Sequence, residues 1–273
     1  MNASCIHHHV VLVHGAGGGS WEWKLWSDHY NRQGQHKYPH LSLYPCHLEV
    51  FKYGRTYDTV STEDYTLQIV EFIGGLHVDW NDEGNRLVLV GASMGGVLIT
   101  QACDSLQQRP YAMIFVCTML PLLEPFETSV SDVYNLSSNI FPNRIPYESS
   151  SLQSTVEAMP GCDPGLCEYV HRQWRDESGR ILNTLYQGVL WRSFQQMRKS
   201  KTSRYLVVIP GDDEYVSSHE QLLFAQRIGA EYKVIPKLLH MGPLFSPQTG
   251  EIADFVFLWL SEDLSYFTMQ STY

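Results

Sequence analysis

The stretch Leu87-Val88-Leu89-Val90-Gly91-Ala92-Ser93-Met94-Gly95-Gly96 decides the fold of this chain. Its first four residues are a continuous apolar run, which predicts a buried β-strand, and a helical pattern follows Gly96. Between them stands G-x-S-x-G, whose glycines permit a turn so tight that other side chains would collide with neighbouring backbone. Such a turn holds a serine hydroxyl at the carboxyl edge of a sheet, in front of a helix N-terminus. The pattern therefore predicts Ser93 as a nucleophile.

A glycine-rich loop follows the first apolar run, in His14-Gly15-Ala16-Gly17-Gly18-Gly19-Ser20-Trp21. A phosphate-binding loop is the alternative interpretation, but the stretch has no Gly-Lys-Ser/Thr and no G-x-G-x-x-G with an acid at the expected distance. Small residues also let a backbone N–H approach a substrate carbonyl oxygen. The candidate oxyanion-hole donors are the amides of Ala16 and Met94, and His14 is expected to brace the loop.

A serine hydroxyl needs a general base, and twelve histidines are available. In this kind of site the chain order is serine, acid, histidine, which sets aside every histidine before Ser93. His240 follows an apolar run and opens the loop before the last helical pattern, so it is the predicted base.

The acid must come from Asp212-Asp213-Glu214, which follows another apolar run. Asp213 is favoured because a small apolar residue, Val216, stands three residues after it. Glu214 and then Asp212 remain open as alternatives. The acid would hold His240 in the right tautomer and stabilise its charged form.

Apolar runs and helical patterns alternate along the chain, which argues for a mainly parallel sheet. Strands are predicted at 8–13, 41–44, 86–90, 112–117, 205–209 and 232–235. A helical stripe is predicted at Leu67, Val70 and Ile73, and another near the end of the chain. These features predict an α/β-hydrolase fold, a single domain over residues 1–273 with a mostly parallel central sheet flanked by helices. The stretch 122–201 shows no convincing strand and is expected to form an inserted helical cap over the site. Its aromatic residues Trp174, Tyr186, Trp191 and Phe194 are expected to give the cap apolar surfaces that suit an aromatic or aliphatic acyl group.

Composition and charge limit the functions open to this chain. Nineteen Lys and Arg against twenty-nine Asp and Glu give a net charge of −10, which disfavours nucleic acid and anionic membranes as partners. No apolar run is long enough to span a membrane, and the N-terminus does not resemble a secretory signal, so a cytoplasmic protein is expected. The six cysteines lack CxxC spacing, and Cys162 and Cys167 are expected to be reduced. No cofactor and no metal is predicted. The oligomeric state is left open, a homodimer included.

The sequence also resembles the plant methylesterase and α-hydroxynitrile lyase family. The loop at 14–21 is similar to that family's HGAxxGxW loop, and residues 61–65, 110–115 and 119–121 resemble segments around its nucleophile strand. His240-Met241 with Pro247 resembles its histidine loop. The resemblance covers roughly two-thirds of the chain and thins out in the expected cap. It implies a triad of Ser93, Asp213 and His240, an oxyanion hole of Ala16 and Met94, and hydrolysis of a small, moderately hydrophobic carboxylic ester without a cofactor.

Several positions depart from that family's pattern. Ala92 stands where its esterases usually have histidine, Leu239 stands where an aspartate often precedes the catalytic histidine, and residues 31–53 differ in length and composition. The family's lyases resemble one another in a threonine and a lysine at the positions of Gly15 and Met241, which argues against cyanohydrin cleavage here. Other lyase or carbon–carbon chemistry on the same triad stays open. A third alternative is a receptor of this fold that binds a small molecule without turnover.

Overall fold

The computed structural model describes residues 6–119, 141–186 and 204–261. The strands in these ranges are β1 His7–Val13, β2 Leu41–Cys46, β3 Asn85–Ala92, β4 Ala112–Val116, β5 Arg144–Ile145, β6 Glu177–Ser178, β7 Arg204–Pro210 and β8 Glu231–Ile235. Six of them form one parallel sheet in the order β2-β1-β3-β4-β7-β8, and the two short strands form an antiparallel ribbon, β5-β6. The longer helices are α1 Lys24–His29, α2 Thr62–Gly74, α3 Met94–Ala102, α4 Leu152–Ala158, α5 Pro164–Gln173, α6 Gly179–Tyr186, α7 Ser218–Ile228 and α8 Thr249–Ser261.

The parallel sheet confirms the predicted α/β-hydrolase fold. All six predicted strands are present, and their ends differ from the predicted ends by at most two residues. Both faces of the four inner strands β1, β3, β4 and β7 are covered, so each of these strands contains a run of at least four apolar residues that can be recognised in the sequence.

Alternate residues of β1, β2, β3, β4 and β7 belong to two separate hydrophobic layers. On one face, residues such as Val11, Leu89 and Phe115 pack with α2, α3, α6 and α7. On the other face, residues such as Leu12 and Val90 pack with a tryptophan-rich segment before and within α1, and with α5 and α8. The covered sheet places the carboxyl ends of all its strands at one edge, where the predicted site residues stand.

The helix predicted around Leu67, Val70 and Ile73 exists as α2, but its buried stripe is shifted. Tyr65, Ile69 and Ile73 are buried, whereas Leu67 is 47% exposed and contributes little to the core. The helix begins with a capping box, in which the Ser61 hydroxyl accepts from the Asp64 amide and the Asp64 carboxylate accepts from the Ser61 amide.

The described part of the segment between β4 and β7, residues 141–186, contains α4, α5, α6 and the β5-β6 ribbon. The expectation that this segment lacks strands was therefore wrong. Each ribbon strand is two residues long and largely polar, so it has no hydrophobic alternation to read in the sequence. Hydrogen bonds from its side chains hold it instead, including the Ser178 hydroxyl, which donates to the Tyr57 carbonyl at 2.6 Å.

Two further facts concern membranes and cysteines. Of the helices in the described ranges, each is too short or too polar to cross a membrane. Cys46, Cys103, Cys117, Cys162 and Cys167 are free thiols.

Candidate active site

A strained turn carries Ser93. The strand β3 ends directly before this residue and α3 begins directly after it. Ser93 has φ 49° and ψ −120°. A residue in so rarely populated a conformation loses about 1–3 kcal/mol, and it keeps that conformation only where the surrounding structure fixes it. A Cβ atom on Gly91 would lie 2.5 Å from the Gly95 carbonyl, and one on Gly95 would lie 2.5 Å from the Val13 carbonyl oxygen. The two glycines of the motif are thus required by the closeness of neighbouring backbone, as the sequence predicted.

Backbone hydrogen bonds from the next strand fix the turn. The Ser93 amide donates to the Val116 carbonyl at 3.0 Å, and the Ser93 carbonyl accepts from the Met119 amide at 3.1 Å. Because β4 pairs with β3 throughout, these bonds extend the ladder of the sheet past the end of β3. The serine is therefore held by the sheet rather than by a free loop.

His240 and Asp213 form a direct pair. His240 Nδ1 lies 3.0 and 2.9 Å from the two carboxylate oxygens of Asp213, whose side chain is fully buried. The same carboxylate accepts from the amides of Tyr215 and Val216 and from the side-chain amide of Gln221. An Nδ1–H donated to Asp213 leaves Nε2 as the imidazole nitrogen that can accept a proton.

The other two acids of the triplet occupy different places. Asp212 is exposed, and Glu214 accepts a hydrogen bond from the backbone amide of His240 at 3.0 Å rather than from its ring. The Val216 amide donates to Asp213 at 3.0 Å, and its side chain is buried. This small residue three positions on is the feature that favoured Asp213 in the sequence.

The glycine-rich loop, residues 14–19, lies against the serine; we call it the oxyanion loop. A Cβ atom on Gly15 would lie 3.1 Å from the Ser93 Cβ. Met94 is the first residue of α3, so its amide has no partner within the helix. Among the described residues, neither the Ala16 nor the Met94 amide donates a hydrogen bond to another part of the protein. Both N–H groups are therefore available to a bound oxyanion.

His14 braces this loop, as expected from the sequence. Its Nδ1 donates to the Gly15 carbonyl at 2.8 Å, and its Nε2 accepts from the Leu48 amide at 3.0 Å. Burial, reinforced by the nearby Arg175 guanidinium, holds the His14 pKa well below its usual range. His14 is thus a neutral, fully committed hydrogen-bonding residue.

Two buried carboxylates beside the loop were missed by the sequence analysis. Glu22 is 2% exposed and accepts from the Gly15 amide at 2.9 Å; Glu177 is fully buried and accepts from the Gly17 amide at 3.2 Å. Burial raises the pKa of Glu22 to about 7, against the opposing effects of the Gly15 hydrogen bond and Arg175, and burial also raises the pKa of Glu177. The one available signal for Glu22 was a lone acid inside Trp21-Glu22-Trp23, a context in which a solvated carboxylate is out of place.

A cavity of about 230 Å³ opens above the serine. Its floor includes Gly15, Ala16, Glu22, Ser93 and His240, and its far wall comes from the segment 141–186, from Tyr215 and Val216, and from residues after His240. Apolar and aromatic residues dominate that wall: Phe141, Tyr147, Trp174, Leu182, Val216, Met241 and Leu244. Of the aromatic residues expected to line a cap, Trp174 faces this cavity, while Trp191, Phe194 and the Tyr186 side chain lie outside the described residues.

The described lining contains no lysine or arginine, and its ionisable members are Glu22, Cys117, Tyr147, Tyr215 and His240. Burial raises the pKa of the Cys117 thiol well above its usual range, so this cysteine is not a thiolate nucleophile. Within the same parts of the chain, no group of three or more His, Cys, Asp or Glu side chains is arranged to hold a metal ion.

The parallel sheet, the strained serine turn and the histidine–carboxylate pair define an α/β hydrolase. Comparison with known families agrees: residues 10–254 match the model of the alpha/beta hydrolase family, and the chain belongs to this family.

The chain is also similar in sequence to several plant proteins and in structure to a plant esterase. Salicylic acid-binding protein 2 of Nicotiana tabacum is 30% identical over 127 residues, which are 46% of this chain and 45% of that protein. Norfluorocurarine synthase 1 of Strychnos nux-vomica is 28% identical over 114 residues, 41% of this chain and 39% of that protein. The chain thus spans half or less of the length of the curated relatives it matches. The crystal structure of polyneuridine aldehyde esterase has a TM-score of 0.63 at 18% identity, covering 94% of this chain and 100% of that one. The resemblance to the plant methylesterase and hydroxynitrile lyase family, as a divergent relative, is confirmed.

Proposed function

We propose that this protein is a serine hydrolase that cleaves small carboxylic esters through an acyl-serine intermediate. The observation that carries the proposal is that His240, whose ring is held by Asp213, lines the same cavity as a serine on a strained turn. A buried carboxylate that orients a histidine beside a serine is the arrangement of a nucleophile with its base.

The reaction would proceed in two halves. Ser93 Oγ attacks the ester carbonyl carbon while His240 Nε2 takes the hydroxyl proton, and the amides of Ala16 and Met94 bind the resulting oxyanion. The C–O bond to the alcohol then breaks, and His240 returns its proton to the leaving oxygen. A water molecule, deprotonated by His240, attacks the acyl-serine and releases the carboxylic acid with Ser93 restored. Throughout the reaction, Asp213 would hold the proton on His240 Nδ1 and stabilise the imidazolium when it forms.

The cavity supports a neutral, moderately hydrophobic substrate. Apolar surface dominates its wall, and among the described lining residues there is no cation to pair with a charged acyl group. Trp174 is well fixed there, because its ring nitrogen donates to the Thr155 hydroxyl at 3.1 Å and its ring packs edge-on against Trp21. A rigid aromatic wall suits an aromatic or aliphatic acyl group.

The proposal is tested with a fluorophosphonate probe and a panel of neutral methyl and p-nitrophenyl esters. Wild-type protein is expected to be labelled once per chain and to release acid and alcohol from the esters. Ser93→Ala should lose labelling and turnover while its thermal unfolding stays close to wild type. Labelling that persists in Ser93→Ala would contradict the assignment of the nucleophile.

Two alternatives give different results in the same assay. Lyase or other carbon–carbon chemistry on this triad would yield products other than the acid and alcohol pair. The similarity to a Strychnos protein named as a synthase is the reason to test this alternative. A receptor without turnover would bind an ester or acid, but would release no product from any member of the panel. Product analysis by mass spectrometry separates all three.

A further inference from the structure

We propose that Glu22 and Glu177 are positioning residues that hold the amides on either side of Ala16, so that of these three loop amides only the Ala16 N–H is presented to the reacting carbonyl oxygen. This inference rests on the proposed hydrolase function. It concerns how the oxyanion loop keeps its shape, and it assigns a role to two buried acids that the triad does not use.

Amides with and without a hydrogen-bond acceptor alternate along the loop. The Gly15 amide donates to Glu22 at 2.9 Å and the Gly17 amide donates to Glu177 at 3.2 Å, whereas the Ala16 amide between them has no acceptor among the described residues. A carboxyl group keeps an acceptor oxygen in both its ionised and its protonated form. Two peptide groups are therefore fixed, and the one between them is left to face the cavity that Ala16 lines.

The carbonyl side of the loop is fixed as well. The Arg175 amide donates to the Gly17 carbonyl at 3.1 Å, and the Arg175 guanidinium donates to the Gly18 carbonyl. The His14 ring donates to the Gly15 carbonyl at 2.8 Å. The guanidinium also supplies the positive charge that favours the ionised form of both acids.

The loop sequence accommodates these acids closely. A Cβ atom on Gly18 would lie 1.7 Å from a Glu22 carboxylate oxygen, so the carboxylate approaches the loop only because residue 18 is glycine. Gly17 has φ +70°, which L side chains rarely adopt.

Glu177 connects the loop to two other elements. It belongs to β6 of the segment 141–186, and its other carboxylate oxygen accepts from the Tyr65 hydroxyl of α2 at 2.7 Å. Glu22, in contrast, lies in the short 3₁₀ turn Ser20–Trp23 directly after the loop. The geometry of the oxyanion hole therefore depends both on the local turn and on the segment that covers the site.

The test compares Glu22→Leu and Glu177→Leu, which remove the acceptor, with Glu22→Gln and Glu177→Gln, which keep an acceptor oxygen. Glu83→Leu, at an exposed glutamate far from the site, is the matched control. Losing one oxyanion-hole donor outright costs about 100- to 1,000-fold in kcat, so a misplaced donor should cost about 10- to 100-fold. We expect each leucine variant to lose that much kcat per fluorophosphonate-titrated site with KM changed less than about threefold. The glutamine variants should recover most of the loss, and Glu83→Leu should match wild type.

A transition-state analogue separates positioning from a merely structural role. A trifluoromethyl ketone forms a serine adduct whose oxyanion occupies the hole, so its inhibition constant should rise in the leucine variants by the same factor as kcat/KM falls. Leucine variants with wild-type kcat per titrated site, or with unchanged affinity for the ketone, would overturn the proposal. Since wild-type labelling and turnover are measured in the same series, failure of the hydrolase assignment itself would be seen separately.

Discussion

At the scale of single residues, the site depends on which acid faces the histidine. The Asp213 side chain is fully buried and contacts His240 through both oxygens, while the side chains of its two acidic neighbours contact the backbone or solvent. The three adjacent acids of the sequence therefore have three different environments, and substitutions at them should have very different effects.

We expect Asp213→Asn to lower kcat by about 10⁴-fold, the order known for the acid of such a triad, because an amide can hold the histidine in the wrong tautomer. Asp212→Asn, which changes an exposed side chain, serves as the control and should be nearly silent. Steady-state kinetics on one neutral ester measures both. If Glu214→Gln loses most of its kcat while Asp213→Asn keeps it, the acid was wrongly assigned.

Glu22 gives a second prediction at this scale, for stability against pH. Burial raises its pKa from 4.5 to about 7, so between these values the folded state keeps a proton that the unfolded state has lost. The stability this group contributes is fully present below about pH 4.5 and is lost as the pH rises through about 7, a change on the order of 3 kcal/mol. Glu22→Gln has no such group.

Urea denaturation of wild type and Glu22→Gln at a series of pH values between 4.5 and 8 measures this difference directly. Wild type should lose more stability than the variant as the pH rises. His14, whose depressed pKa acts in the opposite direction below pH 6.5, is present in both proteins and largely cancels in the comparison. Parallel pH profiles for the two proteins would mean that Glu22 is not buried in an ionisable state as described.

At the scale of elements, the serine turn depends on the approach of α3 to β1. A Cβ on Gly95 would lie 2.5 and 2.6 Å from two carbonyl oxygens at the end of β1, and backbone atoms in a sheet cannot move aside. Gly74, at the end of α2, is the opposite case, because a Cβ there meets nothing within 4 Å. The two positions form a matched pair for one substitution.

Gly95→Ala is therefore expected to lower the free energy of unfolding by more than about 3 kcal/mol or to prevent folding, in the range of severe core defects. Gly74→Ala should leave it unchanged or raise it by up to about 1 kcal/mol, since alanine favours a helix over glycine. Chemical denaturation of both variants measures the two free energies of unfolding. If Gly95→Ala is as stable as wild type and is labelled normally by the fluorophosphonate, then α3 can move away from β1 without a loss of stability or of labelling.

The elements also show what could and could not be predicted from the sequence. Most of the six sheet strands were predicted from continuous apolar runs, and Ser93, Asp213 and His240 were predicted as site residues because each follows a predicted strand in a fixed order. The β5-β6 ribbon was missed because polar side chains, not hydrophobic burial, hold it. Glu22 and Glu177 were missed because their burial depends on contacts between distant segments, up to 160 residues apart for Gly17 and Glu177.

At the scale of the whole molecule, charge should govern which esters reach the site. The chain carries a net charge of −10, and within the described residues the cavity is lined by a buried acid and by no lysine or arginine. Long-range repulsion slows the approach of anions and weakens as salt is added, whereas a desolvated carboxylate inside the cavity is screened much less. The two contributions can therefore be separated.

We expect kcat/KM for a neutral acyl ester to exceed that for an equally large ester with an acyl carboxylate by at least about tenfold, which corresponds to about 1.4 kcal/mol. Raising the salt from 0.01 to 0.5 M should increase kcat/KM for the anionic ester severalfold and leave the neutral ester almost unchanged. Added salt should remove only the long-range contribution to the difference in kcat/KM between the two esters. Glu22→Gln should reduce the difference that remains at high salt. Equal kcat/KM for the two esters at low salt would refute the preference for neutral substrates while leaving the assignment of Ser93, Asp213 and His240 intact.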